Sequence, residues 1–235
     1  EGIGDKRWSS RRKKAIRDSR VDSTLILSNA IREMKSKPEV FIVASAIGWY
    51  GDRGDEELDE NSPPGDGFLP DICREWEDAA SKVEESGVRT VFLRSGIVLT
   101  ATGGALEKML LPFKLGGGGP MGGGKQWMSW ISLDDEIYAI HHLIMNSGST
   151  GKYNLTAPEP VRQKLFARVL GRVLRRPAIA PIPGLAIRVM FGEMGVSLTL
   201  ESQRVLPNRL VDEGYEFLHS DLEHALRDTL GMWND

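Results

Sequence analysis

One cysteine, Cys73, stands in 235 residues. That excludes a disulfide framework and a cysteine-rich metal centre, and it suits a reducing compartment. No apolar run approaches the roughly 18 residues that span a bilayer. The opening EGIGDKRW lacks the charged-then-apolar layout of a signal peptide. Neither sign of charge is in excess: 30 basic and 33 acidic residues leave a net charge of -3, which argues against a nucleic-acid or polyanion partner. The one basic run, Arg11-Arg12-Lys13-Lys14, reads as the solvated face of a helix. The composition predicts a soluble, cytoplasmic protein, long enough for one large domain or two small ones.

The most informative stretch is VFIVASAIGWYGD, Val40–Asp52. Four apolar residues, Val40 to Val43, followed by small ones, predict a parallel strand buried on both faces. Ligands of open α/β sheets bind off the carboxyl ends of such strands, so Ser45 and Tyr50 fall where chemistry on a bound substrate would be done. A core strand followed by an ordinary loop reads equally well from this segment alone.

A helix is predicted over Ser9–Lys35, N-capped by Ser9, with Ile16, Leu27, Ile31 and Met34 on its buried side. A second is predicted over Leu69–Glu85, with Ile72, Trp76, Ala79, Ala80 and Val83 forming one stripe and Gly87 ending it. TVFLRSGIVL, Thr90–Leu99, reads as the next strand, making Val40–Leu99 a strand–helix–strand unit with a parallel crossover. A short helix over Leu106–Phe113 precedes seven glycines within nine positions, in LGGGGPMGGGKQW. This tract suits either a backbone wrap around a phosphate or a flexible lid or turn, since no GK[ST] follows. Gln126–Leu133 is predicted as a strand, and Asp134 as the cap of a helix burying Ile137, Ile140, His141 and Ile144. His141 and His142 are adjacent in that helix and point about 100° apart, which disfavours a metal site.

Further on, Tyr153–Thr156 reads as a strand and Val161–Arg175 as a helix with Leu165, Val169 and Val173 inward. Pro177, Pro181 and Pro183 make a rigid connection. Short helices are expected over Leu185–Phe191 and Leu198–Leu206. The last is expected over Asp221–Leu230, with Leu222, Leu226 and Leu230 on one face. The division predicted is 1–150 for a partial cofactor-binding domain and 151–235 for a substrate-side, mostly helical region.

These pieces resemble the extended short-chain dehydrogenase/reductase superfamily, and within it the nucleoside-diphosphate-sugar epimerase group with a small C-terminal domain. The likeness is carried by DKRWSSRRKKAIRDSR (Asp5–Arg20), ASAIGWYGD (Ala44–Asp52), CREWEDAA (Cys73–Ala80), LRSGIVL (Leu93–Leu99), the stretch Gly103–Asp135, YNLTAPEPV (Tyr153–Val161) and QRVLPNRL (Gln203–Leu210). It implies an α/β fold: the C-terminal portion of a Rossmann-like, doubly wound parallel sheet. It also implies NADP or NAD as cofactor and a nucleotide-sugar-like or small hydroxylated substrate, and it is compatible with a homodimer.

Two departures qualify what the resemblance implies. Nothing in the chain matches the G-x-x-G-x-x-G turn that brings pyrophosphate to a helix N-terminus. The opening is similar to the family's segment after the fourth strand. The expectation is therefore a longer parent chain, with about 70 further residues in two to three strand–helix units. Two strands alone would leave a thin sheet with a long exposed edge.

The second departure concerns the family's Tyr-x-x-x-Lys pair, in which the phenol moves a proton with the ammonium lowering its pKa. Here Phe68 and Ile72 fall at those places, or Leu69 and Cys73 with a shift of one.

The remaining candidates are few. Ser45 suits orientation of a substrate hydroxyl or simply a small residue at a strand end. Tyr50 suits an alternative acid/base or an aromatic floor beside Trp49. Cys73 reads as an inert thiol. By resemblance, Ala44 and Ser45, with Arg94, Ser95, Gly96 and Ile97, pass the nicotinamide end of the cofactor. Lys108, Gln126 and Trp130 match positions flanking the substrate cleft, Trp130 as a stacking surface or as a half-buried strand aromatic.

Overall fold

The structure, a computed structural model, describes residues 1–233. Helix α1, Ser10–Glu33, begins at Ser9, whose side chain accepts from the Arg12 amide at 3.2 Å. Its buried face is Ile16, Val21, Thr24, Ser28 and Ile31. Leu27 and Met34, expected inward, are exposed because the packing stripe runs through small polar residues instead. Strand β1, Val40–Ala46, ends in a 3-10 turn, Ile47–Tyr50. After the two-residue strand β2, Glu57–Leu58, comes helix α2, Phe68–Ser81. Ile72, Ala79, Ala80 and Val83 are buried, and Gly87 takes the left-handed conformation that closes the segment, φ 81°.

Strand β3, Arg89–Ser95, lies parallel to β1, Val40 opposite Arg89 and Ala46 opposite Ser95. The predicted single strand Thr90–Leu99 breaks at Gly96. Ile97–Leu99 is a separate strand, β4, because the Ile97 amide donates to Ser129 O at 2.9 Å while the Gly96 amide donates to Leu155 O at 2.9 Å. Helix α3 spans Gly104–Lys114. Strands β5, Trp127–Met128, and β6, Trp130–Ser132, replace the continuous strand expected over Gln126–Leu133, and β4 pairs parallel with β6.

Helix α4, Leu133–Met145, is capped by Ser132, whose hydroxyl accepts from the Asp135 amide at 3.0 Å, not by Asp134. Its buried face is Asp135, Ala139 and Leu143, while Ile137 and Ile144 of the expected stripe are exposed. Apolar residues surround this helix, and the packing partner selected a face that periodicity could not.

Strand β7, Gly151–Leu155, joins β3 in parallel, giving a three-stranded sheet in the order β1-β3-β7 that extends across residue 150. Two faces cover it. Val43 and Phe92 pack with Ala80 of α2, while Val91 and Leu93 pack with Ile131, Ala139 and Leu143 on the α4 side. The sheet is thicker by one strand than the two expected, with β1 at an edge.

Strand β8, Val161–Arg162, precedes helix α5, Gln163–Val173. Val169 and Val173 are buried, but Leu165 points outward. Helix α6, Gly184–Thr199, runs through a kink at Gly192, φ 61°, where only the first of two short helices had been expected. Leu198 and Thr199 belong to α6, and the rest of the second expected helix is non-helical from residue 201 and contains β9, Arg204–Val205, which pairs with β2. Helices α7, Asn208–Asp212, and α8, Leu222–Leu230, complete the chain. Asp221 caps α8 by accepting from the His224 amide at 2.9 Å. Leu99, Trp130, Phe166, Leu170 and Leu226 form a further core linking β4 to α5 and α8. Among the described residues no helix is long and apolar enough to cross a membrane.

Candidate active site

The parallel register sets Ser45 opposite Arg94 and Ala46 opposite Ser95. The two strand ends therefore emerge side by side at one rim. Alternation sends their side chains to different faces. Ser45 and Arg94 turn toward α2, whereas Ser95 turns toward α4.

Beneath the rim on the α2 side lies a closed polar network. Ser45 Oγ donates to Glu77 Oε1 at 2.8 Å. Arg94 grips the same carboxylate through Nε to Oε1, 2.8 Å, and Nη2 to Oε2, 2.9 Å. Arg94 Nη1 donates to the Tyr50 oxygen at 3.2 Å, and that phenol is 2.7 Å from Asn154 Oδ1 and 2.9 Å from Asp59 O. The guanidinium stacks 3.8 Å from the centre of the Trp49 ring. Burial works against the Arg94 charge, but Glu77 and Tyr50 together outweigh it and its pKa rises. Burial pushes Tyr50 up to about 12, the reverse of the lowering that proton transfer calls on. Cys73 is pushed up to about 12 by burial and by the Glu77 charge, which keeps the thiol protonated.

On the α4 side, Ser95 Oγ donates to Glu136 Oε1 at 2.5 Å. Burial lifts the Glu136 carboxyl to about 7, and its Oε2 is buried without a partner. Ala44 is the exposed small residue of β1, and Gly96 is hemmed in: a Cβ there would lie 2.7 Å from Ser129 O.

Next to the rim is a cleft of about 400 Å³ between the first turn of α2 and α6. Phe68 and Leu69, the two residues at the family's Tyr place, line one wall; Arg188, Glu193, Ser197 and Glu201 line the other. Gly48, two residues past β1, connects rim to cleft, since a Cβ there would touch Leu69 Cβ at 3.4 Å. Burial raises the pKa of Glu201, with a Ser197 hydrogen bond pulling the other way.

The structure does not bring the expected substrate residues to this cleft. Lys108 Nζ donates to Gly4 O at 2.8 Å and pairs with Asp5. Gln126 Nε2 donates to Thr199 O at 2.7 Å and Met121 O at 3.1 Å. Trp130 is fully buried, its indole donating to Glu159 O at 3.2 Å, so the core reading of this aromatic replaces the stacking one.

The glycine tract is neither a phosphate wrap nor a free lid. The amides of Gly116, Gly117, Gly122 and Gly124 already donate to protein carbonyls. Gly119 lies so close to Ala180 that a Cβ would fall 2.2 Å from its carbonyl oxygen.

Glu77, Glu136 and Asn154 escaped the sequence reading. A signal for the first was present: Arg94 sits within an apolar strand, and a buried guanidinium requires a carboxylate.

Residues 182–229 match a family model described as a domain of unknown function, DUF1731. Epimerase family protein Mb2239 of Mycobacterium bovis is 39% identical over 224 residues, 95% of this chain and 74% of that protein. The chain belongs to this epimerase family. Human epimerase family protein SDR39U1 (isoform 2), crystallised with NADPH, superposes with a TM-score of 0.93 at 34% identity, covering 98% of this chain and 79% of that one. The nucleoside-diphosphate sugar epimerase from Corynebacterium glutamicum gives a TM-score of 0.78 at 33% identity, over 95% of this chain and 44% of that one. The epimerase-family relationship and the Rossmann-like parallel fold implied by the sequence resemblance both hold.

Proposed function

We propose that this epimerase-family protein is an NAD(P)-dependent epimerase or related oxidoreductase acting on a nucleotide-sugar-like or other small hydroxylated metabolite. The observation that carries the proposal is the near-complete superposition on a relative crystallised with NADPH. The paired ends of β1 and β3 fit the nicotinamide end of such a cofactor: Ala44 leaves the sheet surface open, and Gly96 lets the Ser129 backbone pack close behind the rim. Ala44, Ser45, Ser95, Gly96 and Ile97 would lie along the ring. Arg94 would act from behind, through Ser45 and Glu77. When bound, the cofactor supplies reversible hydride transfer.

The proton has fewer candidates. Tyr50 is buried and fully engaged, which suits a positioning role, as does Ser45 on Glu77. Glu201 is the cleft carboxyl that burial raises above the usual carboxylate range, the direction that suits a group giving and taking a proton. A second reading, a non-catalytic NADP(H) sensor, is favoured by Phe68 and Ile72, or Leu69 and Cys73, in place of the phenol and ammonium.

Titration of NADPH fluorescence, with assay of UDP- and dTDP-sugar turnover, tests both readings. Saturable binding with a dissociation constant of roughly 0.1–1 mM is expected of a chain without the glycine-rich turn. Turnover lost in Glu201→Gln and kept in Tyr50→Phe supports the enzyme and the assigned roles. Binding with no turnover favours the sensor, and no saturation removes both. Sedimentation measures whether the protein is the homodimer that the resemblance allows.

A further inference from the structure

We propose that Arg12 and Arg20 form an oxyanion-binding site that takes the phosphoryl group of a small-molecule ligand, beside the exit of β1. The two arginines lie on α1 with buried Ile16 between them, and both reach residue Glu1. Arg12 Nη1 holds the Glu1 carboxylate and Nη2 donates to Gly2 O at 2.5 Å; Arg20 Nη1 donates to Glu1 O at 3.2 Å. Three oxygens thus converge on two guanidinia. A phosphoryl group brings three peripheral oxygens that share more negative charge than one carboxylate carries.

Arg12 pairs with Glu1 and lies 3.9 Å from Asp5, whereas the acceptors of Arg20 are all uncharged. Arg12 Nε is buried with no acceptor. The remaining acceptors of Arg20 are Ile16 O at 3.1 Å and Ser19 Oγ at 3.3 Å, neither of them charged. Three other cations of α1 have carboxylates: Lys13 has Glu193, Lys14 has Asp18 and Arg17 has Glu75. Burial, with the Arg12 charge adding to it, lowers the Arg20 pKa. An incoming anion relieves both effects.

The location suits a ligand of the rim. The Arg20 guanidinium lies 5.5 Å from the centre of the Trp76 ring of α2, and three residues earlier on α2 the Cys73 sulfur is 3.7 Å from Ala46 O, the last residue of β1. The inference requires no turnover and stands whether the protein is an enzyme or a sensor.

Isothermal titration of the 235-residue chain with inorganic phosphate and pyrophosphate at low ionic strength tests it. Saturable binding is expected, weakened about tenfold in Arg12→Gln and in Arg20→Gln. Glu1→Gln, which removes the resident carboxylate, should tighten binding about threefold, a change that a purely structural pair would not give. Arg11→Gln with Lys14→Gln, on the exposed side of the same helix, should bind as the parent does. Circular dichroism verifies that each variant is folded.

Absence of saturable binding overturns the site. So does equal binding by the Arg12 and Arg20 variants, or equal loss in the Arg11/Lys14 variant. Competition by NADPH assigns the phosphoryl group to the cofactor, and competition by UDP-glucose assigns it to the substrate. If phosphate binds but neither competes, the placement beside the rim is wrong.

Discussion

Arg94 and Glu77 meet in two parallel hydrogen bonds, 2.8 and 2.9 Å long, with Arg94 fully buried and Glu77 nearly so. The pair ties β3 to α2 directly behind Ser45. Its fork-to-fork geometry holds the rim in one arrangement, because neither charge has water to turn to.

Removing one partner of that pair should be far worse than removing both. Glu77→Ala leaves a buried guanidinium unpaired and should cost about 3–5 kcal/mol, whereas Glu77→Leu with Arg94→Met should recover most of that loss. Urea unfolding of the single and double variants measures the difference. Equal destabilisation by both would show that packing, not charge pairing, holds this layer.

Glu136 sets a pH dependence. Its folded-state pKa, about 7, lies above the value of 4.5 it takes in the open chain. The folded protein therefore holds a proton that the unfolded chain releases. Stability contributed by this group is full below about pH 4.5 and falls as pH rises toward 7, by up to ~3 kcal/mol. Glu136→Gln should flatten that fall and stabilise the protein at pH 8, as read from thermal midpoints between pH 4.5 and 8.5. A wild-type curve already flat over that range would contradict the assignment.

Gly96→Ala should destabilise by about 1–3 kcal/mol, because the added methyl meets Ser129 O at 2.7 Å and Thr156 Cγ2 at 2.9 Å. Its effect should be paired with weaker NADPH binding, since the strain falls on the rim itself. Gly103→Ala, where a Cβ meets nothing within 4 Å, serves as the comparison in chemical denaturation and cofactor titration.

The parallel unit of β1, α2 and β3 was legible because each element carries its own period: an apolar run, a stripe, a second run. Other features depended on distant partners. Thr90–Leu99 reads as one strand, and only hydrogen bonds to Leu155 and Ser129 divide it at Gly96. Asp135 looks like a solvated first-turn acid, yet it is buried because Tyr215 and the amides of Leu218 and His219 come back to it. The rim was foreseeable, since strand ends face ligands by topology. The network beneath it was not, because Glu77 interrupts no period and Asn154 arrives from 104 residues beyond Tyr50.

At Gly96 two successive amides answer to different sheets. A molecule resting on Ser95 to Ile97 would lean on both layers at once, and any tilt between them would be felt as a change in the width of its seat. The C-terminal half thus has a mechanical hand on the chemistry of the rim, exerted through one residue that has no side chain.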